Sequence, residues 1–335
     1  MVPKGQAGVW RPCGYYHRLN NVTKPDKYPV PYINDASSRL FGRRIFSEIH
    51  LVRAHRIPVH PRDMHKTAIT TSLSLYEYTR MPFSLRNATQ TFQRLMDQVT
   101  RGLDFCLAYP DNALVASKTA QGHNAHLAEL FDRFVKYGVK LNSVMCVLRT
   151  SSLELLAFQL TAEGIRPLCQ KVAATERFPR PSNMNELRRL LDCLNFCRRL
   201  TLKAAVLLAP LERLVSSKQG KQEIHLSQEA VEAFEPSKQA LVDVTLLFHP
   251  AESANLSLVV DNSDNAAGAV LQQRVASHWP PLSFFSRRFQ PSGTRYSAFR
   301  RELLAAYLPI RHFRYLLEGE HFSVVTDHKP LVQAV

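Results

Sequence analysis

Residues 105–117 read FCLAYPDNALVAS, from Phe105 to Ser117, and their reading decides what kind of chain this is. Two apolar runs flank Pro110-Asp111-Asn112. Proline presets the first turn dihedral, and Asp and Asn bond their own backbone, so the stretch predicts strand, tight turn, strand. One reading stops there, at an ordinary hairpin. A second has the tip present the Asp111 carboxylate to a metal ion and a nucleotide, and only the surrounding sequence can choose between them.

On the N-terminal side, Phe92, Leu95, Met96 and Val99 fall at helical spacing and predict a helix over Thr89–Val99 with Asn87 as its cap. Earlier, the pattern predicts strands over Phe46–Val59 and Ser72–Arg80, while Pro25, Pro29 and Pro31 keep residues 1–45 extended and irregular. On the C-terminal side, residues 123–138 predict an amphipathic helix with Leu127, Leu130, Phe131 and Phe134 inward, closed by Gly138. Strands resume over Leu153–Leu160. Helix, hairpin, helix and strands in this order describe an α+β layout with helices on one side of an antiparallel sheet.

Beyond Gly164 the character changes. A helix from about Asn183 carries Leu187, Leu190, Leu191, Leu194 and Cys197 inward, with Arg188, Arg189 and Arg199 on its other faces. Such a basic helix suits a phosphate backbone or simply a solvated surface. The polar stretch 215–223 reads as a domain boundary, and Pro236 is expected to interrupt the helix after it. Residues 256–273 predict strand, turn, strand, and PLSFFSRRF a third strand. A long helix over 296–317 follows, with Phe299, Leu303, Tyr307, Ile310, Phe313 and Leu317 on one face and a kink at Pro309. HFSVVTDHK returns as a strand.

Charge narrows the function. The 335 residues hold 43 Lys plus Arg against 28 Asp plus Glu, a formal net charge of +15, which draws polyanions, nucleic acid foremost. No apolar run is long enough to cross a bilayer and the start lacks a secretory signal, so an intracellular location, cytoplasm or nucleus, is expected. The six cysteines are scattered without metal-type spacing and read as reduced, buried thiols. Three acids stand where they can meet: Asp261 and Asp327 ending strands, and Glu302 inside the long helix. Three carboxylates suit hard divalent cations, two of which activate water and stabilise the leaving oxygen in phosphodiester cleavage.

The motifs YPVPYINDASSRLFGRRIFSEIHL, KTAITT, YTRMPFSLRNATQTFQRLMDQV, FCLAYPDNALVAS, AEGIRP and NFCRRL, in this order, resemble the reverse transcriptase of gypsy-type long-terminal-repeat retrotransposons. AAGAVLQQR, FFSRRF, TRYSAFRRELLAAY, IRHFRYLLEG and VVTDHKPL resemble the ribonuclease H domain that follows it. The resemblance covers nearly the whole chain. It implies a right-hand polymerase palm with partial fingers over residues 1–160, a helical thumb and connection over 161–222, and a C-terminally truncated ribonuclease H-like domain over 223–335. It implies RNA template, DNA primer and RNA–DNA hybrid as partners, no membrane, and Mg2+ or Mn2+ as cofactor.

It also exposes departures. The family's Phe-Ser-x-Ile/Leu-Asp-Leu reads Phe46-Ser-Glu-Ile-His50-Leu here, and its Tyr-x-Asp-Asp reads Tyr109-Pro-Asp111-Asn112. Of three polymerase acids only Asp111 is kept, so the resemblance implies a hairpin that has lost half its metal-binding pair and a polymerase that no longer catalyses. The sugar-gating aromatic corresponds to His55. Gly-Asp-Tyr-Arg has become Gly14-Tyr15-Tyr16-His17, while Lys4 and Arg11 resemble the triphosphate contacts. The glycines of Met-Pro-Phe-Gly and Phe-Leu-Gly correspond to Ser84 and Ala157. Asp111, Asp261, Glu302 and Asp327 match the family's catalytic and metal-binding acids, with a fourth ribonuclease H ligand expected beyond Val335. A nucleic-acid-binding relic without catalysis, or an expressed remnant with no function, are the other readings.

Overall fold

A computed structural model describes residues 2–3, 10–11, 14–31, 39–52, 57–109, 112–155, 157–201, 203–215, 223–243, 246–290 and 292–334, with backbone alone at 2–3, 10–11 and 333–334. Two compact units result, residues 1–153 and 154–335. The sequence suggests three segments, whereas the helical stretch beyond Gly164 and the last sheet cluster together. The suggested boundary at 215–223 lies mostly outside the described residues.

In the first unit, β1 (Val2–Pro3) pairs with β2 (Trp10–Arg11), and a short helix α1 (His17–Val22) follows. The main sheet is built from β3 (Ile45–His50) and later strands. β4 (Ile69–Thr70) and β5 (Leu75–Tyr76) form a small hairpin beside it in sequence. Then come α2 (Ala88–Val99), β6 (Cys106–Ala108), β7 (Asn112–Ser117), α3 (Ala120–Tyr137) and β8 (Val147–Thr150). The sheet order is β6-β7-β3-β8, antiparallel throughout. Both helices cover one face: Phe92, Met96 and Val99 of α2 and Leu127, Leu130 and Phe134 of α3 join Ile49, Ala113 and Val115 in one buried cluster. Side chains alternate along a strand, so Ser47 and Ile49 face these helices while Phe46, Glu48 and His50 face away.

α3 starts where Thr119 accepts a hydrogen bond from Gly122 N–H and stops at Gly138, whose φ of 67° only glycine adopts without cost. Other expectations need correction. The strand begun at Phe46 ends at His50 rather than Val59; among the described residues beyond it there are isolated bridges at Leu51 and at Pro58, the latter to Arg80, and a proline cannot donate to a central ladder. The strand expected over Ser72–Arg80 shrinks to Leu75–Tyr76. Asn87 precedes α2 without capping it, because its side chain is drawn to Asp26 N–H and the Lys24 carbonyl.

The second unit opens with β9 (Leu153–Leu155), β10 (Phe158–Leu160) and β11 (Gly164–Pro167). Four helices follow: α4 (Cys169–Glu176), α5 (Met184–Phe196), α6 (Ala204–Arg213) and α7 (Gln228–Val242). β12 (Leu247–Phe248) completes a sheet of order β12-β11-β10-β9. α5 starts with a reciprocal cap, Asn183 accepting from Glu186 N–H and Glu186 from Ser182 N–H, and buries Leu187, Leu190, Leu191 and Leu194 as its pattern predicts. Pro236 does not interrupt α7; it lies on the exposed side of the helix, where the missing amide removes one backbone hydrogen bond without breaking the turn.

The last sheet combines β13 (Leu256–Asn262), β14 (Ala266–Gln273), β15 (Pro281–Arg288) and, after the helices α8 (Ala298–His312) and α9 (Arg314–Leu317), β16 (Phe322–Val325). A short helix α10 (Lys329–Ala334) follows. Sheet order is β15-β14-β13-β16, with β16 parallel to β13. The helix runs through Pro309 and breaks at Phe313 instead. Its buried face is Glu302, Ala305, Ala306 and Pro309; of the apolar face expected, Ile310, Phe313 and Leu317 do join the core, but Phe299, Leu303 and Tyr307 are exposed. Small residues let the helix lie close to the sheet, and that rotation is what carries Glu302 inward. Cys106 and Cys197 are buried as expected, but Cys169 and Cys193 are exposed. Among the described residues no helix is long and apolar enough to cross a membrane.

Candidate functional site

The palm-like unit brings His50 and Asn112 together as direct partners across the β3–β7 ladder, with Tyr109 N–H donating to the Asn112 carbonyl at 2.7 Å to close the hairpin. Pro110 and Asp111, at its tip, lie outside the described residues, as do Lys4 and His55 and the side chain of Arg11. Tyr15 is exposed and stacks obliquely on His17, their ring centres 4.5 Å apart.

The sequence reading passed over Glu48. It shares a strand face with His50, two residues on, and that alternation was the available signal. Its buried carboxylate accepts a hydrogen bond from Asn112 Nδ2 at 2.5 Å and stands 3.6 Å from His50 Nε2. Burial pushes the Glu48 carboxyl above the usual range, against the opposing pull of His50 and of the Asn112 hydrogen bond. An imidazole, an amide and one carboxylate already engaged by a neutral donor do not fit a pair of hard divalent cations, which need several anionic oxygens.

Behind this face a polar chain crosses the core. The Arg149 amide donates to Ser47 Oγ at 2.9 Å; Ser47 and His123 Nε2 are 2.7 Å apart, His123 Nδ1 and Ser117 Oγ 2.8 Å, and Ser117 Oγ and His126 Nδ1 2.8 Å. A consistent order of donors has Ser47 donate to His123, His123 to Ser117 and Ser117 to His126, both imidazoles neutral. His126 also stacks on Phe105, ring centres 3.9 Å apart.

In the second unit the three expected acids approach one end of the last sheet. β13 and β16 run parallel with Val259 opposite Val325; Asp261 is the last residue but one of β13, and Asp327 lies two residues beyond the end of β16 rather than ending a strand. Glu302 reaches the same end from α8. Only 8% of Glu302 is exposed, and its Oε2 is buried with no hydrogen-bond partner. Burial raises its carboxyl; His328 opposes this, and the charges of Asp327 and Asp261 add to it. Asp261 has a partner the sequence did not suggest, Lys203 Nζ at 3.3 Å. Among the described residues no three His, Cys, Asp or Glu side chains are gathered as a set that could hold a metal ion. The donor chemistry nevertheless suits a hard cation: three carboxylates, one with a buried oxygen that nothing satisfies.

Fold and site together define a class. Residues 2–160 match the reverse transcriptase (RNA-dependent DNA polymerase) family, and residues 226–324 match the RNase H-like domain found in reverse transcriptase. The Pol polyprotein of Drosophila melanogaster transposon 297 is 32% identical over 99% of this chain and 31% of its own length. The Tf2-7 polyprotein of Schizosaccharomyces pombe is 28% identical over 99% of this chain and 25% of its own. The chain belongs to the retrotransposon Pol polyproteins of the gypsy type, and spans about a third or less of these relatives. Among solved structures, a foamy viral protease–reverse transcriptase in complex with double-stranded DNA superposes with a TM-score of 0.87 at 18% identity, covering 100% of this chain and 70% of that one. The same viral enzyme with an RNA/DNA hybrid gives 0.82 at 17% identity, covering 93% and 42%. These likenesses establish the right-hand polymerase and ribonuclease H-like folds.

Proposed function

We propose that this chain is a reverse transcriptase–ribonuclease H segment that binds RNA template–DNA primer and RNA–DNA hybrid but does not polymerise. The observation that carries it is the His50–Asn112 pair, with the Asn112 amide held by Glu48 where the family has two aspartates. Nucleotidyl transfer in this family relies on metal ions that neutralise developing charge on phosphate, and a neutral amide and an imidazole do not supply the anionic oxygens that hold a pair of them. Lys4 and Arg11 are the proposed triphosphate contacts, and Asp111 the one remaining polymerase acid.

Nucleic-acid binding is supported by the charge of +15 and by foamy viral structures that hold double-stranded DNA and an RNA/DNA hybrid. Asp261, Glu302 and Asp327 are the residues that would hold Mg2+ or Mn2+ in the ribonuclease H-like domain. Such an ion, when bound, supplies the Lewis acidity for phosphodiester cleavage. The chain's own part is to keep Glu302 Oε2 buried without a hydrogen-bond partner, near enough to Asp261 and Asp327 for their charges to raise its carboxyl.

The test is primer extension on an RNA template with Mg2+ or Mn2+, run beside hybrid binding at graded salt. Salt-sensitive binding without incorporation is expected. Template-directed incorporation above a no-enzyme control would overturn the catalytic half of the proposal, and absence of binding at low salt the other half.

A further inference from the structure

We infer that Lys203 is a tethered cation that occupies Asp261 and competes with a divalent metal for the ribonuclease H-like acids. The inference rests on the reading that Asp261, Glu302 and Asp327 hold that metal. Three observations carry it. The ammonium stands 3.3 Å from Asp261 Oδ2, with both side chains about 60% exposed, so the pair can open to let an ion in. Lys203 is held in the left-handed region, φ 56°, at the start of α6. A residue with a Cβ is disfavoured in that conformation, so something in the surroundings imposes it. Hydrogen bonds on both sides supply the constraint: Arg198 Nε donates to the Ser286 carbonyl at 3.2 Å, and Ala205 N–H donates to Ser286 Oγ at 2.9 Å. The segment carrying Lys203 is therefore pinned to β15 at Ser286, and Asp261 lies two strands away in the same register, both being paired with Gly268 of β14.

Electrostatics give the direction. A carboxylate facing one fixed positive charge is a poorer ligand for another cation, since the incoming ion must displace the ammonium or endure its repulsion. The effect belongs to the helical segment before the last sheet, so any partner that moves that segment off Ser286 would also free Asp261. Neither Glu302 nor Asp327 makes an ion pair with Lys203, which confines the competition to one of the three acids.

The test measures Mn2+ binding to the full chain by the electron paramagnetic resonance signal of free Mn2+. Lys203→Gln is expected to tighten binding about fivefold, the scale of an exposed ion pair. Lys203→Arg, which keeps the charge, should match the wild type, and Asp261→Asn should abolish the gain from Lys203→Gln. Equal affinity of Lys203→Gln and wild type, or the same gain in the Asp261→Asn background, would overturn the inference; so would no Mn2+ binding by any of them. Glu302→Gln tests the underlying site separately. If it leaves Mn2+ binding unchanged, the ion is not at these acids; if it weakens binding while Lys203→Gln does nothing, the site stands and the role of Lys203 fails.

Discussion

Ser84 and Ala157 share a backbone conformation that their side chains disfavour: φ is 71° at the first and 67° at the second. Both stand where the motifs that resemble the family imply glycine, the residue best suited to a left-handed turn. Left-handed geometry costs a residue with a Cβ about 1–2 kcal/mol, and part of that is regained by glycine's larger entropy loss on folding. Ser84→Gly is expected to stabilise by about 1 kcal/mol, and Ala157→Gly by about 0.5 kcal/mol because its half-buried methyl group is lost. Urea unfolding midpoints check both, and a loss of stability in either would contradict the strain argument.

Those two turns also mark what the sequence can reveal. Local devices were legible: Gly138 closes α3, the helix expected from about Asn183 is α5, and apolar runs mark the strands β6 and β7 on either side of the turn. Relationships made by tertiary packing were not. Glu48 meets Asn112 across 64 residues of sequence, and Lys203 meets Asp261 across a comparable gap, with no local periodicity to announce either. α8 misled for a related reason. Phe299, Leu303 and Tyr307 look like part of a core face, yet the sheet accepts the small face of Ala305 and Ala306 there, and only from Ile310 onward do the bulky residues turn inward.

Restoring the hairpin acid should carry a stability cost. Asn112→Asp places a second carboxylate against buried Glu48 in place of the donor that now satisfies it. Like charges at that range raise the folded-state pKa of the pair, so the loss is greatest at neutral pH and shrinks as pH falls toward 5. A destabilisation of about 1–3 kcal/mol at pH 7.5 is expected. Thermal unfolding of wild type and variant at pH 7.5 and 5.5 checks this; a loss that grows on acidification would refute it.

Acid should weaken the first unit through His123 and His126. Burial lowers both imidazoles below the ordinary value; the charges of His126 and Arg149 add to this at His123, and Arg43 does so at His126 while Glu129 opposes it. A group with a depressed folded pKa binds its proton more readily when unfolded. The stability contribution is therefore intact above the unfolded value, near 6.5, and is lost as pH falls from there through the folded pKa. Each histidine can contribute a slope of up to about 1.4 kcal/mol per pH unit in that window. His123→Phe should be less stable at pH 7.5, since it removes one hydrogen-bond partner from each of Ser47 and Ser117, but should show a shallower decline between pH 7 and 5. An undiminished slope would show that the acid sensitivity arises elsewhere.

The arginines around α5 should divide into two classes. Arg199 holds its guanidinium over the Phe158 ring, 4.7 Å from its centre, and Phe158 stacks on Phe196 at 4.7 Å. It is committed to the fold, although the sequence placed it beside the others. Arg189 is exposed on α5 and is the better candidate for a phosphate. Each phosphate contact releases counterions, so log affinity falls with log salt in proportion to the number of contacts. Arg189→Ala should weaken hybrid binding at low salt and reduce the magnitude of the salt slope by about 1, with the unfolding midpoint unchanged. Arg199→Ala should leave the slope intact and lower stability by about 0.5–1 kcal/mol, the worth of a partly exposed cation–aromatic contact. Fluorescence anisotropy with a labelled RNA–DNA hybrid at graded salt, beside urea unfolding, separates the two. If Arg189→Ala left the slope unchanged while Arg199→Ala reduced it, the ring contact would not be what holds Arg199, and α5 would face the nucleic acid with its other side.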